Sequence, residues 1–377
     1  MKYKLIKPIN PKYSAIEQIL ANRGVDYKDI PHYLNTTDND INDFDLLGHK
    51  NLENAARELI YVINNNKKAC VIVDCDVDGY TASASMINYL YSLFPSWVTN
   101  RLKWIHHQGK SHGLNDLLDE IISEKYSLVL AIDCGTNDLK EHSILRKNGC
   151  EIIVLDHHIQ EDVSKDAIII NNQCSDYPNK HLCGCGIVWQ FCRYLDSILR
   201  INNSNNYLDL VALALTADMM SLLSIETRHL ITKGFQSQNI HNPFILYMWK
   251  KNKFKLGDEI TSWGAAFYIV PLLNAITRSG TLEEKEIVFT SLINHLALKE
   301  VPSTKRGHSW GDMETIADQA IRICDRVKRR QTKSVLQGME ILEERIEKDN
   351  MMENKVLLFL NNNQEVDKNI AGWVTCP

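Results

Sequence analysis

The chain has 377 residues, more than one compact core usually takes, with ordinary globular proportions of 44% hydrophobic and 24% charged residues, which excludes whole-chain disorder. A net charge of −5, from 42 Lys+Arg against 47 Asp+Glu, excludes a global positive field, so any nucleic-acid contact must rest on a local basic patch. The start, Met1-Lys-Tyr-Lys-Leu-Ile-Lys-Pro8, is not signal-like and no apolar run reaches membrane-spanning length, so the reading is cytoplasmic with no membrane contact. Ten cysteines are scattered without a CxxC pair and read as reduced thiols, several of them acting as small hydrophobes in apolar runs.

Residues 14–64 predict accessory helices. Ile16, Ile19 and Leu20 share one helical face, and Leu52, Ala55, Ala56, Leu59, Ile60 and Ile63 another, with an Asn/Asp-rich loop between them. From residue 69 the texture becomes short apolar runs separated by helix-length segments, the pattern of βαβ units and a parallel sheet. The predicted strands are Ala69–Val73, 127–132, 151–155 and 166–170. Residues 207–223 predict an apolar, buried helix interrupted by Asp218, and residues 312–348 a long charged helix. A last strand is expected at 355–360, with a helix beginning near 369.

The first three predicted strands each run into an aspartate: Asp74, Asp133 and Asp156. Open α/β sheets bind ligands beyond the carboxyl ends of their strands, so these carboxylates aim at one crevice. Asp74-Cys-Asp76-Val-Asp78-Gly79 sets three carboxylates at alternate positions, whose repulsion calls for a counter-charge. A solvated acidic turn or a calcium loop would share the spacing, but Ser85 stands where the distal calcium-binding Glu belongs. Asp133-Cys-Gly135 and Asp156-His157-His158 add more oxygen ligands and imidazole, a set suited to Mn²⁺ or Mg²⁺. Two such ions would fit phosphoester hydrolysis.

DxDxDG, Asp-Cys-Gly and Asp-His-His in this order resemble the first three motifs of the DHH phosphoesterase superfamily, and the surrounding sequence resembles its RecJ-like single-strand DNA exonuclease branch. The further similarities are Asn22-Arg-Gly-Val25, Asn54-Ala-Ala-Arg57, Ser111-His-Gly-Leu114, Leu182-Cys-Gly-Cys-Gly-Ile-Val188, the run from Leu208 to Asp218, and Pro271-Leu-Leu-Asn-Ala275 with Arg278 and Gly280. The resemblance implies metal ligation of two ions by Asp76, Asp78, Asp133, His157 and Asp218, with Asp133 bridging. Asp74, Asp156 and His158 carry catalytic roles, Asp156 by fixing the His157 tautomer and His158 at the phosphate. Asn274, Arg278, His112 and Gly113 would bind substrate.

The implied architecture is an α/β domain with a mostly parallel sheet over 66–300, after a helical lead-in over 1–65. A connecting helix over 301–350 and the start of an incomplete DHH-associated domain over 351–377, with Asp367 to Gly372 as its recognisable piece, complete it. The implied function is 5′-to-3′ hydrolysis of single-stranded DNA in recombination and repair by two-metal activation of water, as a monomer, with a single-strand-binding protein or helicase as partner. The alternatives are a small-substrate DHH phosphodiesterase or phosphatase and a catalytically silent DNA-binding scaffold. Trp249-Lys-Lys-Asn-Lys-Phe-Lys255 interleaves rings with cations, as a single-strand groove or a solvated loop would. Arg101, Lys103, His106, His107, Lys110 and His112 lie where they could flank the crevice, and Lys328-Arg-Arg330 with Lys333 reads as a wet helix face.

Overall fold

The computed structural model describes residues 9–107, 112–349, 351–353, 356–359, 366 and 371. Its first helix, α1 (Ala15–Asn22), opens on a capping box in which Ser14 and Glu17 satisfy each other's backbone N–H groups. Ile16 and Ile19 do not bury as their spacing predicts: they are 60% and 53% exposed. Only Ala21 of this short helix is buried, so its apolar face meets no core among the described residues. The helix α2 (His49–Asn64) follows the predicted face, burying Leu52, Ala55, Ala56, Leu59, Val62 and Ile63, with Ile60 half-buried.

Five strands form one parallel sheet in the order β2-β1-β3-β4-β5: β1 Ala69–Val73, β2 Leu102–His106, β3 Leu128–Ile132, β4 Glu151–Asp156 and β5 Ile168–Asn171. The strand β2 falls in the segment expected only to carry crevice cations. Its Leu-Lys-Trp-Ile-His sequence suits a sheet edge, with Lys103 in solvent and Ile105 inward. Central strands are buried on both faces. Val71, Leu130 and Ile153 point toward α3 (Val77–Leu93), and Cys70, Ile72, Val129 and Val154 toward α4 (Leu139–Lys147) and its neighbours.

The first face is completed by α5 (Gly184–Leu199), α6 (Leu208–Ala217) and α7 (Ile225–Gly234). Asp218 does not interrupt a longer apolar helix, as expected; it caps the end of α6, because Met219 turns to the left-handed φ of 53°. That exit lifts the carboxylate out of the apolar layer. Further along come α8 (Pro243–Lys251), α9 (Val270–Ser279) and α10 (Leu282–Leu292). A short antiparallel pair, β6 (Glu300–Pro302) and β7 (Met313–Thr315), precedes α11 (Ile316–Lys348). The long helix therefore starts later than predicted, on a Thr315 cap whose hydroxyl accepts from the Asp318 N–H. Its first half packs Ala317, Ala320, Cys324 and Val327 against α9 and α10. The predicted strand at 355–360 and the Asp367–Gly372 piece lie largely outside the described residues, and 356–359 form no strand. Among the described residues no helix is long and apolar enough to cross a membrane.

Candidate metal centre

At its carboxyl end β1 delivers Asp74, and the chain then turns into α3 within one residue of Asp76. Asp76 caps that helix, accepting from Gly79 N at 2.9 Å. Asp78, in the first turn, accepts from Gly184 N at 2.7 Å and Cys185 N at 2.9 Å, the first amides of α5. A helix N-terminus is where an anionic side chain is favoured, so α5 fixes both oxygens of Asp78. Asp133 follows β3 in the left-handed region at φ 60°, its N–H donating to Leu155 O at 2.9 Å. A non-glycine residue held there is uncommon and belongs with constrained sites.

The side chains converge. His157 Nε2 lies 3.2 Å from Asp133 Oδ1, 3.6 Å from Asp218 Oδ2 and 3.8 Å from Asp78 Oδ2. Ligand atoms of Asp74, Asp76 and Asp133 lie within 4.8 Å of one another, and so do those of Asp78, His157 and Asp218. Asp133 Oδ1 and Asp74 Oδ2 are buried without a hydrogen-bond partner. A Cβ on Gly184 would sit 2.5 Å from Asp133 Oδ1, so only glycine leaves room for that carboxylate.

Crowding shows in the acid strengths. Burial, then Asp78 and Asp76, push Asp133 well above the usual carboxylate range and Asp218 up to about 7. Burial, then Asp78 and Asp74, push Asp76 up to about 6. Burial holds His157 below the usual imidazole value, which favours the neutral, ligating form. Orphaned buried oxygens, repelling carboxylates and one neutral imidazole fit a hard divalent cation.

Asp156 does something other than expected. Its Oδ1 accepts from His158 Nδ1 at 2.7 Å and from the backbone N–H groups of His157 and His158, while Oδ2 accepts from the Thr136 hydroxyl at 2.6 Å. It therefore orients the ring of His158, not that of His157, whose Nε2 faces Asp133, Asp218 and Asp78 instead. Burial would raise Asp156, but the His158 hydrogen bond and charge bring it down to about 2. The same bond raises His158 to about 9, making it a cation at neutral pH.

His112 Nδ1 sits 2.9 Å from Asp74 Oδ1. Gly113, at φ 82°, abuts the Asp138 carboxylate, which accepts from Leu114 N at 2.7 Å. Both residues, with Asp133, Thr136, Asp138 and His158, line an open pocket of about 280 Å³. Asn274 and Arg278 lie on α9; Arg278 is exposed, and neither bonds to the carboxylates. Thr136, Asp138 and Gly184 went unremarked as site residues, although the Thr and Asp that follow Asp133-Cys-Gly135 are the signal for the first two.

The flanking cations divide. His106 Nε2 pairs with Glu286 at 2.9 Å, His107 is buried with Nε2 3.9 Å from Asp74, and Lys110 lies outside the described residues. Trp249 turns its indole N–H to Gly257 O at 3.1 Å, and Arg330 of the expected wet face bonds Glu284 at 2.7 Å.

The model of the DHH family's N-terminal domain matches residues 68–215, the segment that holds the parallel sheet, the aspartates at its strand ends and the Asp-His-His turn. Over 376 residues the chain is 34% identical to a protein of Bacillus subtilis named as an SPbeta prophage-derived single-strand DNA-specific exonuclease, covering 99% of this chain and 62% of that one. The single-stranded-DNA-specific exonuclease RecJ of B. subtilis is 28% identical over 301 residues, 74% of this chain and 36% of that one. The chain thus spans about three fifths, 62%, of the length of the first of these relatives. In fold it resembles the crystal structure of Thermus thermophilus RecJ in complex with Mn²⁺, with a TM-score of 0.63 and 21% identity over 88% of this chain and 46% of that one.

Proposed function

We infer that this chain is a divalent-metal-dependent phosphodiesterase that shortens single-stranded DNA from a 5′ end, acting in the cytoplasm in recombination and repair. The observation that carries this reading is the pair of ligand groups, Asp74/Asp76/Asp133 and Asp78/His157/Asp218, packed beyond the carboxyl ends of the central strands. Mn²⁺ or Mg²⁺ held by these residues would supply Lewis acidity at phosphoryl oxygens and a lowered pKa for attacking water. Asp133, grouped with Asp74 and Asp76 and 3.2 Å from His157, would help to hold metal from both halves of the cluster.

The remaining residues bind and orient. Asp156 and Thr136 hold His158 as an imidazolium beside the open pocket, where its free Nε2–H can donate to a phosphate oxygen. His112, tied to Asp74, lines the same pocket. The relatives named as single-strand DNA-specific exonucleases support the substrate class.

The test is incubation with Mn²⁺ and end-labelled single-stranded DNA, a dinucleotide and pyrophosphate, beside Asp133→Ala. Stepwise loss from the 5′ end that disappears in the variant is expected. Turnover of the small substrates alone would make the chain a small-substrate phosphodiesterase, and binding without turnover a silent scaffold.

A further inference from the structure

Away from the carboxylates, two aromatic side chains stand entirely in water. Trp310, in the loop between β6 and β7, is 104% exposed, and Phe254, just after α8, is 102% exposed. Rings so placed add nothing to the core and leave both faces open to stack on a ligand. A cavity of about 440 Å³ is shared by α8 and the loop that carries Trp310. It is lined by Tyr247, Lys250 and Lys251 of α8, by Lys305 of the Trp310 loop, and by Ile321, Arg322 and one carboxylate, Asp318, of α11, the last held by the Thr315 hydroxyl.

The cations here fall into two sets. Lys251 is taken up by Asp325 at 2.5 Å and Arg322 by Glu314 at 2.6 Å. Lys250, Lys255 and Arg306 have no carboxylate partner among the described residues; Lys250 lies 5.9 Å from the Tyr247 ring and Lys255 5.6 Å from the Tyr268 ring. Beside Tyr268, Trp263 and Phe267 are 59% and 61% exposed with centroids 4.9 Å apart. Free cations set among exposed ring faces complement a chain of phosphates and bases, since rings stack on any base and the cations meet the backbone.

We propose that the face running from Trp310 across Lys250 to Phe254 binds single-stranded nucleic acid outside the metal centre, as a second hold on the strand. The choice of ligand rests on the substrate class inferred above. A duplex would hide its base faces from these rings, and an acidic protein segment would use the cations but not the stacking.

The experiment is equilibrium binding of a fluorescein-labelled oligothymidylate of about 20 nucleotides in excess EDTA, where cleavage cannot intervene. Trp310→Ala and Phe254→Ala should each weaken binding about tenfold with unchanged thermal melting. Lys250→Gln, Lys255→Gln and Arg306→Gln combined should flatten the salt dependence. Unchanged affinity in both aromatic variants, equal affinity for duplex, or equally strong competition by polyglutamate would each overturn the proposal. Absence of cleavage with Mn²⁺ would instead refute the catalytic reading and leave this measurement standing.

Discussion

Replacing Asp76 by Asn should make the metal-free protein more stable while destroying its response to metal. Asn keeps an oxygen for the cap on Gly79 N, so the helix start survives. What it removes is a carboxylate held at about 6 against an ordinary 3.8 by burial and then by Asp78 and Asp74. An acid whose folded pKa is raised costs nothing below its unfolded value; the cost grows as pH climbs toward the folded value and is full above it. About two units correspond to roughly 3 kcal/mol near pH 8, and about half of that near pH 5, where the folded carboxyl is still mostly protonated. For a chain of this size the gain should raise the melting temperature by on the order of 5 °C in EDTA at the higher pH. With saturating Mn²⁺ the order should reverse, because the wild type gains binding energy that the variant forgoes. Calorimetric scans at both pH values, with and without Mn²⁺, check this. A variant that melts at or below the wild type in EDTA near pH 8 would refute the claim that repulsion and burial strain the empty cluster.

His158→Gln should remove the alkaline limb of the cleavage profile, since the imidazolium, raised to about 9, is lost only as pH rises through that value; rates measured from about pH 7 to 10 test it, with a ten- to hundredfold loss at the optimum. In Gly184→Ala the new methyl would press on Asp133 at 2.5 Å and shift the amide that holds Asp78, so Mn²⁺ affinity by titration calorimetry should fall at least tenfold, with about 1–3 kcal/mol lost in urea unfolding. Glu226 accepts from Tyr177 Oη at 2.6 Å, Asn179 Nδ2 at 2.9 Å and Asn42 N at 2.9 Å, tying the N-terminal segment to α7. Glu226→Leu should cost about 3 kcal/mol or more in the same assay, because it strands several buried donors.

The acidic strand ends were legible because three aspartates each terminate an apolar run, and a central parallel strand has few other ways to be written. The edge strand β2 was not, since a strand with a neighbour on one side tolerates Lys103 and His106, which spoil the apolar signal. Asp218 was read inside a helix because no local residue marks the stop; Met219 adopts its left-handed turn without the glycine that usually announces one. The Asp156 partner is hidden for a related reason, as sequence does not distinguish which of two adjacent histidines faces the carboxylate. Ile16 and Ile19 carry a helical pattern that was right about conformation and wrong about burial, because periodicity says which residues share a face and not what covers it.

The two amides that grip Asp78 belong to residues more than a hundred positions further along, with separations of 106 and 107. Such a contact forms only after the intervening strands have paired, so the ligand cluster assembles late in folding. A nascent chain that has emerged only through β4 already carries four of the cluster's side chains, Asp74, Asp76, Asp78 and Asp133, yet has neither the α5 seat for Asp78 nor His157 and Asp218. Metal capture by this cluster would thereby be coupled to completion of the domain, since half-made chains lack the full ligand set.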